Sequence, residues 1–366
     1  MKVALIHDHL TQDGGAERVL RVFREIFPEA PVYTLVYDKK KMGAEFDGKN
    51  IRTSFIQKIP GGVKKFKWFL PLMPLATEKH ELDSYDVVLS NSSALSKGVI
   101  TRPDALHICY CHTPTRYLWT DTHLYIKELS HGSLVKKAVS LMLPKLRMWD
   151  RMAAERVDKF VANSKTVQKR ISKYYGRESE VIYPPVDVSE FKISEAQKRY
   201  YLAGGRLVPY KRFDLVVQAF NKLGIPLKIF GEGPELQKLK EMAKANIEFL
   251  GKVTDEEKKE LYGKCIAFIH PQEEDFGLMV IEAMASGRPV IAYPKGGATE
   301  TVAAGKTGTF FPDQSWESLA HTIIRFNPEE YRPEEIRGHA AQFDTTTFKD
   351  KIKSYIENSW QEFQSK

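Results

Sequence analysis

Short apolar runs alternate with amphipathic stretches along most of the chain. Residues 3–6 form the first run, Asp13-Gly14-Gly15 follows as a turn, and over 16–27 Val19, Leu20, Val22, Phe23, Ile26 and Phe27 recur at helical spacing. Further runs at 31–36, 86–89, 106–110, 159–162 and 180–182 read as buried strands, several separated by helical patterns. Strands that are apolar throughout predict a parallel sheet with both faces covered. Tyr183-Pro184-Pro185-Val186-Asp187 breaks the pattern, because consecutive prolines hold the chain extended and a polar stretch follows to Arg199. A second alternation then begins. Strands are predicted at 200–203, 227–230, 247–250, 266–269 and 289–292, with helices at 213–223, 235–245, 255–262 and 278–286 between them. The tail, 347–363, reads as one more helix. This is an α/β chain of two Rossmann-like domains, each large enough for its own core.

Composition narrows the classes. With 42% apolar and 28% charged residues the chain is not disordered, and no apolar run approaches the ~18 residues of a membrane span. The opening Met1-Lys2-Val3-Ala4 reads as the start of a strand and not as a secretory signal. Cys109, Cys111 and Cys265 are too few for a disulfide framework, which fits a reducing cytoplasm. The net charge of +8 is unevenly spread. Residues 1–190 hold 30 Lys and Arg against 22 Asp and Glu, whereas 191–366 hold 25 of each. Lys49, Arg52, Lys58, Lys64, Lys65 and Lys67 stand in a stretch with no acid. Such a surplus points to an anionic partner: nucleic acid, membrane or substrate.

The loops after predicted strands carry the candidate chemistry. In Glu274-Asp275-Phe276-Gly277-Leu278-Met279-Val280-Ile281-Glu282, Gly277 permits close backbone approach, and the amides that follow open a helix whose N-terminus favours phosphate. Glu274 and Glu282 stand on the order of 10 Å apart on a helical rise, suited to gripping two ends of an extended ligand. As plain structure they are a first-turn acid and a solvated helix residue. In Gly204-Gly205-Arg206-Leu207-Val208-Pro209-Tyr210-Lys211, Arg206 and Lys211 flank Pro209 and suit a diphosphate whose charge grows on departure; the neighbouring Arg212 reads as a solvated loop residue.

Gly14 and Gly15 sit at the first strand–helix junction, again favourable to phosphate. Gly231-Glu232-Gly233 lacks the third glycine of a dinucleotide fingerprint, and Gly305-Lys306-Thr307 lacks the first glycine of a P-loop because Glu300 stands there. His112 follows a strand and is a natural site residue. A zinc reading of Cys109, Cys111 and His112 is set aside, since the two thiols are expected on opposite strand faces and no second pair exists. His7-Asp8-His9 reads as polar residues at a strand end. No Asp-x-Asp occurs to hold a bridging divalent metal.

Taken together, Glu274-x7-Glu282, the Arg206/Lys211 loop and Val181-Ile182-Tyr183-Pro184-Pro185-Val186-Asp187 resemble the retaining, GT-B-fold family 4 glycosyltransferases over essentially the whole chain. Cys111-His112-Thr113-Pro114-Thr115-Arg116-Tyr117 further resembles their O-antigen and exopolysaccharide mannosyltransferase branch. The resemblance implies a GT-B architecture of two Rossmann-like domains facing each other across a cleft. It implies an N-terminal acceptor domain, residues 1–183 with 345–366, and a nucleotide-sugar domain, 184–344.

Arg206 and Lys211 would neutralise the donor diphosphate, Glu282 hold the ribose and Glu274 the transferred sugar. Phe276, Gly277, Leu278 and Met279 would line sugar and phosphate, Gly231 and Val253 the base. His112 would face the reacting sugar, with Gly14 and Gly15 against the diphosphate. Asp275 replaces the glycine that many members have. The implied reaction moves a hexose, best mannose from GDP-mannose, without a metal or other cofactor. Its acceptor would be a polyprenyl-diphosphate-linked saccharide at the inner face of the cell membrane.

Two other readings stand beside it. One is a sugar-nucleotide epimerase or phosphorylase of the same fold. The other is a binder of nucleic acid or anionic membrane, using Phe66, Trp68 and Phe69 beside Lys64, Lys65 and Lys67, and the basic, apolar stretch 134–156 with Lys136, Lys137, Lys145, Arg147 and Arg151. A charge split that favours the membrane makes nucleic acid the last of these.

Overall fold

A computed structural model describes every residue except 44–45, 47–49, 124–125, 127–131, 196–198 and 366, so Lys49 lies outside the described residues. The chain divides into two compact units, Met1–Pro185 with Phe348–Lys366, and Val186–Thr347.

The N-terminal unit is built on a seven-stranded sheet: β1 Val3–His7, β2 Val32–Thr34, β3 Ile51–Thr53, β4 Val87–Ser92, β5 Leu106–Cys111, β6 Lys159–Ala162 and β7 Ser179–Val181. The order is β3-β2-β1-β4-β5-β6-β7, with every pair parallel. Order therefore reverses between β1 and β4, and in such sheets ligands gather outside the carboxyl ends of the strands at that reversal. The final helix, Thr345–Gln364, inserts Phe348, Ile352 and Ile356 into the core formed with Leu5, Phe23 and Tyr110.

The other unit carries β8 Tyr200–Gly204, β9 Leu227–Phe230, β10 Ile247–Gly251, β11 Cys265–His270, β12 Val290–Ala292 and β13 Gly308–Phe310, again all parallel, in the order β10-β9-β8-β11-β12-β13. The reversal lies between β8 and β11. Each unit is thus a Rossmann-like α/β domain, as the hydrophobic pattern predicts.

The apolar runs mark eleven of the thirteen described strands, two of them the partly buried edge strands Ser179–Val181, expected to be buried, and Ile247–Gly251, and they miss two at the other edges. Ile51–Thr53 is only half-buried at its apolar positions, and Gly308–Phe310 begins on a glycine. Ser133–Glu155 forms one helix of 23 residues despite Pro144. No described helix is long and apolar enough to cross a membrane.

Candidate active site

In the second unit the loops after β8 and β11 meet. Lys211, last residue of a 3-10 turn over Pro209–Lys211, is buried, and its Nζ lies 2.6 Å from Glu274 Oε1. A Cβ on Gly205 would stand 2.8 Å from Met279 Cε and 3.2 Å from Lys211 Nζ, so Gly205, Lys211, Met279 and Glu274 form one cluster. Gly277 caps the helix Leu278–Ala285 at φ +90°, a conformation that glycine adopts without strain. Its Cα faces the ring of His270, the last residue of β11.

His270 was not visible as a site residue in the sequence, where the strand was expected to end before it. Gln272 Nε2 lies 3.2 Å from His270 Nδ1, while the buried His270 Nε2 and Gln272 Oε1 have no hydrogen-bond partner among the described residues. Burial, only partly offset by Glu274, lowers the His270 pKa to about 4, with Lys211 adding to the depression. For Glu274 burial acts upward, yet Lys211, His270 and a hydrogen bond from Gln272 outweigh it and hold the carboxyl below its ordinary value.

Glu282 belongs to a different cluster of the same unit. It is 1% exposed, which corrects the solvated-helix alternative. Its Oε2 accepts from Tyr262 Oη at 3.1 Å and its Oε1 pairs with Lys258 Nζ at 3.4 Å. Both partners come from the helix Asp255–Lys264, one turn apart, and no local sequence signal marks them as partners of Glu282. Arg206 is exposed, and Arg212, expected as a solvated loop residue, is half-buried against Asp214 at 3.0 Å. Leu278 and Met279 are half-buried, and Phe276 is buried edge-on against Phe343, ring centroids 5.6 Å apart. The amide of Gly231 donates to Gly251 O at 2.6 Å, two residues before the half-buried Val253.

In the N-terminal unit Gly14 caps the helix Gly15–Ile26 in an extended conformation. Asn91, near the end of β4, links that helix to His112. Its Nδ2 donates to Ala16 O at 2.7 Å and lies 3.1 Å from His7 Nδ1, while its Oδ1 is 2.6 Å from His112 Nε2. His7 Nε2 in turn is 3.2 Å from Glu17 Oε1. Burial and His7 lower the His112 pKa to about 4, against the opposing pull of Glu17 and Asp8.

His7 and Asp8 are therefore more than strand-end polar residues. Asp8 accepts the amides of Ser93, Ala94, Leu95 and Ser96 at 2.7–2.9 Å, anchoring the loop after β4. Cys109 and Cys111 lie in one core cluster on the same face of β5, since residues two apart share a strand face; the expectation that they diverge is wrong. Among the described residues no group of three or more His, Cys, Asp or Glu is arranged to hold a metal ion.

Residues 13–190 match the family model described as Glycosyltransferase Family 4, and residues 187–343 the model described as Glycosyl transferases group 1. An uncharacterized glycosyltransferase of Methanocaldococcus jannaschii is 28% identical over 55% of this chain and 58% of its own length. The O-antigen chain mannosyltransferase RfbU of Salmonella typhimurium is 28% identical over 57% of this chain and 62% of its own length. A GDP-mannose-dependent phosphatidylinositol monomannoside mannosyltransferase of Mycobacterium tuberculosis is 29% identical over 50% and 56%. The chain thus spans about three fifths of the length of these curated relatives.

Among solved structures, Anabaena HepE with UDP-glucose superposes with a TM-score of 0.71 at 20% identity, over 98% of this chain and 100% of that one. Sucrose-phosphate synthase of Thermosynechococcus elongatus gives 0.72 at 16% identity, over 99% and 100%. The chain carries a region that matches the glycosyltransferase family 4 model followed by one that matches the glycosyl transferases group 1 model, and its fold is that of the GT-B glycosyltransferase structures.

Proposed function

We propose that the chain transfers a hexose with retention, best mannose from GDP-mannose, onto a polyprenyl-diphosphate-linked saccharide. The observation that carries this reading is the cluster at the carboxyl ends of β8 and β11. There Lys211, Glu274 and the Gly277-capped helix terminus supply a cation, an anion and backbone amides within one small site. Departure of a nucleoside diphosphate builds negative charge, which Lys211, the exposed Arg206 and the helix terminus stabilise; no metal is needed for that step. Glu274 accepts hydroxyls of the transferred sugar and Glu282 those of the ribose, with Gly231 and Val253 at the base. In the N-terminal unit, His112, Gly14 and Gly15 are the residues we assign to substrate contact. The acceptor hydroxyl attacks from the face that the leaving group vacates, assisted by the leaving phosphate. The mannosyltransferases among the relatives support the choice of sugar.

The acceptor reading draws on the surface of the helix Ser133–Glu155. Leu134 (82% exposed), Leu141 (77%), Met148 and Met152 recur along one helical face, with Lys137 and Lys145 exposed among them. Trp68 is also exposed, beside Lys64, Lys65 and Lys67, and the buried sides of both segments meet in one core cluster. Apolar side chains interleaved with lysine suit an anionic bilayer on the cytoplasmic side.

A thermal-shift panel of GDP-, UDP- and ADP-sugars tests the donor, because a ligand that binds only the folded state raises Tm by mass action. Transfer with EDTA present is expected to persist. R206A and K211A are expected to remain folded and lose turnover on the order of 100-fold or more; near-wild-type rates in either variant refute the roles assigned to them. Conversion of the donor without any acceptor would favour the epimerase alternative. Vesicle co-sedimentation that does not depend on anionic lipid, or that L141E/M148E leaves unchanged, removes the membrane reading.

A further inference from the structure

The hydrogen bonds around Asn91 fix which nitrogen of His112 carries its proton. The Ala16 carbonyl can only accept, so the group 2.7 Å away is the Asn91 amide nitrogen, and the carboxamide has one orientation. Its oxygen then faces His112 Nε2 at 2.6 Å, which must be N–H. The second amide hydrogen points at His7 Nδ1, 3.1 Å away, which must be the bare nitrogen of that ring. His7 Nε2 therefore carries hydrogen and donates to Glu17 Oε1 at 3.2 Å. Asn91 and His7 are buried, and Glu17 is held by its helix, so each member is positioned by the next. His112 Nδ1 accepts no hydrogen bond from a described residue.

We propose that Asn91, seated between His7 and His112 and backed by Glu17, is a positioning residue that locks His112 as the Nε2–H tautomer and leaves its Nδ1 lone pair to accept a substrate hydroxyl. This rests on the reading of His112 as a residue of the transfer site. The groups that face His112 are His7 and Asp8 from β1 and the loop after it, Glu17 from the helix Gly15–Ile26, and the Tyr110 ring at 5.3 Å on its own strand. None of them supplies a carboxylate to either ring nitrogen at hydrogen-bond distance, so the ring stays neutral. An isosteric carboxylate at position 91 changes that, because it would stand where the amide oxygen now does and favour the imidazolium.

The experiment combines histidine 15N spectra with kinetics of wild type, Asn91→Ala and Asn91→Asp. The donor is whichever of GDP-mannose, UDP-glucose and ADP-glucose stabilises the wild type. Wild-type His112 is expected as the Nε2–H tautomer from pH 6 to 8. Asn91→Ala is expected to mix tautomers and lower kcat on the order of 100-fold, as a misplaced group does, with KM for the donor nearly unchanged. Asn91→Asp, which preserves shape, is expected to raise the His112 pKa by more than a unit and to shift the acid limb of the kcat profile with it. An Nδ1–H tautomer in the wild type overturns the proposal, as does wild-type kcat in Asn91→Ala. If none of the three sugar nucleotides stabilises the wild type, the donor reading falls and takes the proposal with it. A donor that binds and is turned over equally by wild type and Asn91→Ala overturns the network alone.

Discussion

Asp150 lies fully buried on the helix Ser133–Glu155 and takes four donors: Lys97 Nζ at 2.5 Å, Thr115 Oγ1 at 2.7 Å, Trp119 Nε1 at 2.7 Å and Tyr175 Oη at 2.8 Å. Burial and the neighbouring carboxylate hold the Tyr175 phenol protonated, so it remains a donor. Truncation in Asp150→Ala leaves the Lys97 ammonium, itself buried, without its counter-charge.

The hydroxyls of Thr115 and Tyr175 can rotate to other acceptors, whereas the Trp119 indole N–H cannot, and an orphaned donor adds about 1–3 kcal/mol. Breaking a buried pair by removing one partner typically costs about 3–5 kcal/mol. We therefore expect Asp150→Ala to lose about 4 kcal/mol in the unit that contains it. Replacing both partners by apolar residues, as in K97M/D150L, should recover much of this. Urea unfolding followed by tryptophan fluorescence reads the effect, since Trp68, Trp119, Trp149 and Trp360 all belong to the N-terminal unit. A loss under about 1 kcal/mol, or K97M/D150L no more stable than Asp150→Ala, refutes the reasoning.

Three other expectations concern the second unit or both. A Cβ on Gly231 would stand 1.9 Å from Gly205 O, and φ there is +116°, so Gly231→Ala should push the two loops apart and lower both Tm and donor binding; an unchanged Tm contradicts it. Glu282→Gln keeps an acceptor for Tyr262 and removes the charge. It should weaken binding of the stabilising sugar nucleotide about tenfold in calorimetry with little change in Tm, and equal affinity would leave Glu282 a purely structural residue. His107, held neutral by burial and by Arg156 with a pKa of about 3, and His270, at about 4, both lie below the ordinary 6.5. The unfolded state therefore binds the extra proton, and each of these histidines should contribute a loss of about 1.4 kcal/mol per pH unit as pH falls below 6.5; His270→Gln should flatten the slope of the second unit by that amount, and an unaltered slope counts against it.

The strand-end loops were legible because glycines, prolines and apolar runs are local signals. Gly205, Lys211, Glu274 and Gly277 each follow a run that reads as a strand, and parallel topology brings the ends of β8 and β11 together. What could not be read are pairings between distant positions. Nothing near Asn91 announces His112, 21 residues on, and nothing near Lys97 announces Asp150, 53 residues on. Tyr262 and Lys258 as partners of Glu282 required knowing that their helix and the helix Leu278–Ala285 pack together. The misplaced cysteines came from misapplied strand periodicity, and His270 from ending β11 one residue early.

The distribution of charge inverts between whole units and strand ends. Residues 1–190 hold the entire excess of +8, yet the carboxylates at the carboxyl ends of β1 and β4 are held by hydrogen-bond donors and not by the surplus lysines. Four amides take up Asp8, His7 takes up Glu17, and burial keeps His112 neutral. The surplus lysines stand instead on the segment 64–68 and on the helix Ser133–Glu155, beside exposed Trp68, Leu141 and Met148. His9 joins that surface to the strand ends, its ring centroid 4.8 Å from that of Phe66.

Residues 191–366 carry no net charge, but Lys211 and Arg206 stand in the loop directly after β8. Exposed charges separated by more than a Debye length, about 8 Å at physiological salt, are largely screened from one another. The net charge of a half therefore reports the partner of its surface, and the few side chains at the strand reversal report the ligand of its site. The proposed function matches an anionic surface to the first unit and a diphosphate to the second, and neither proposal follows from the total of +8.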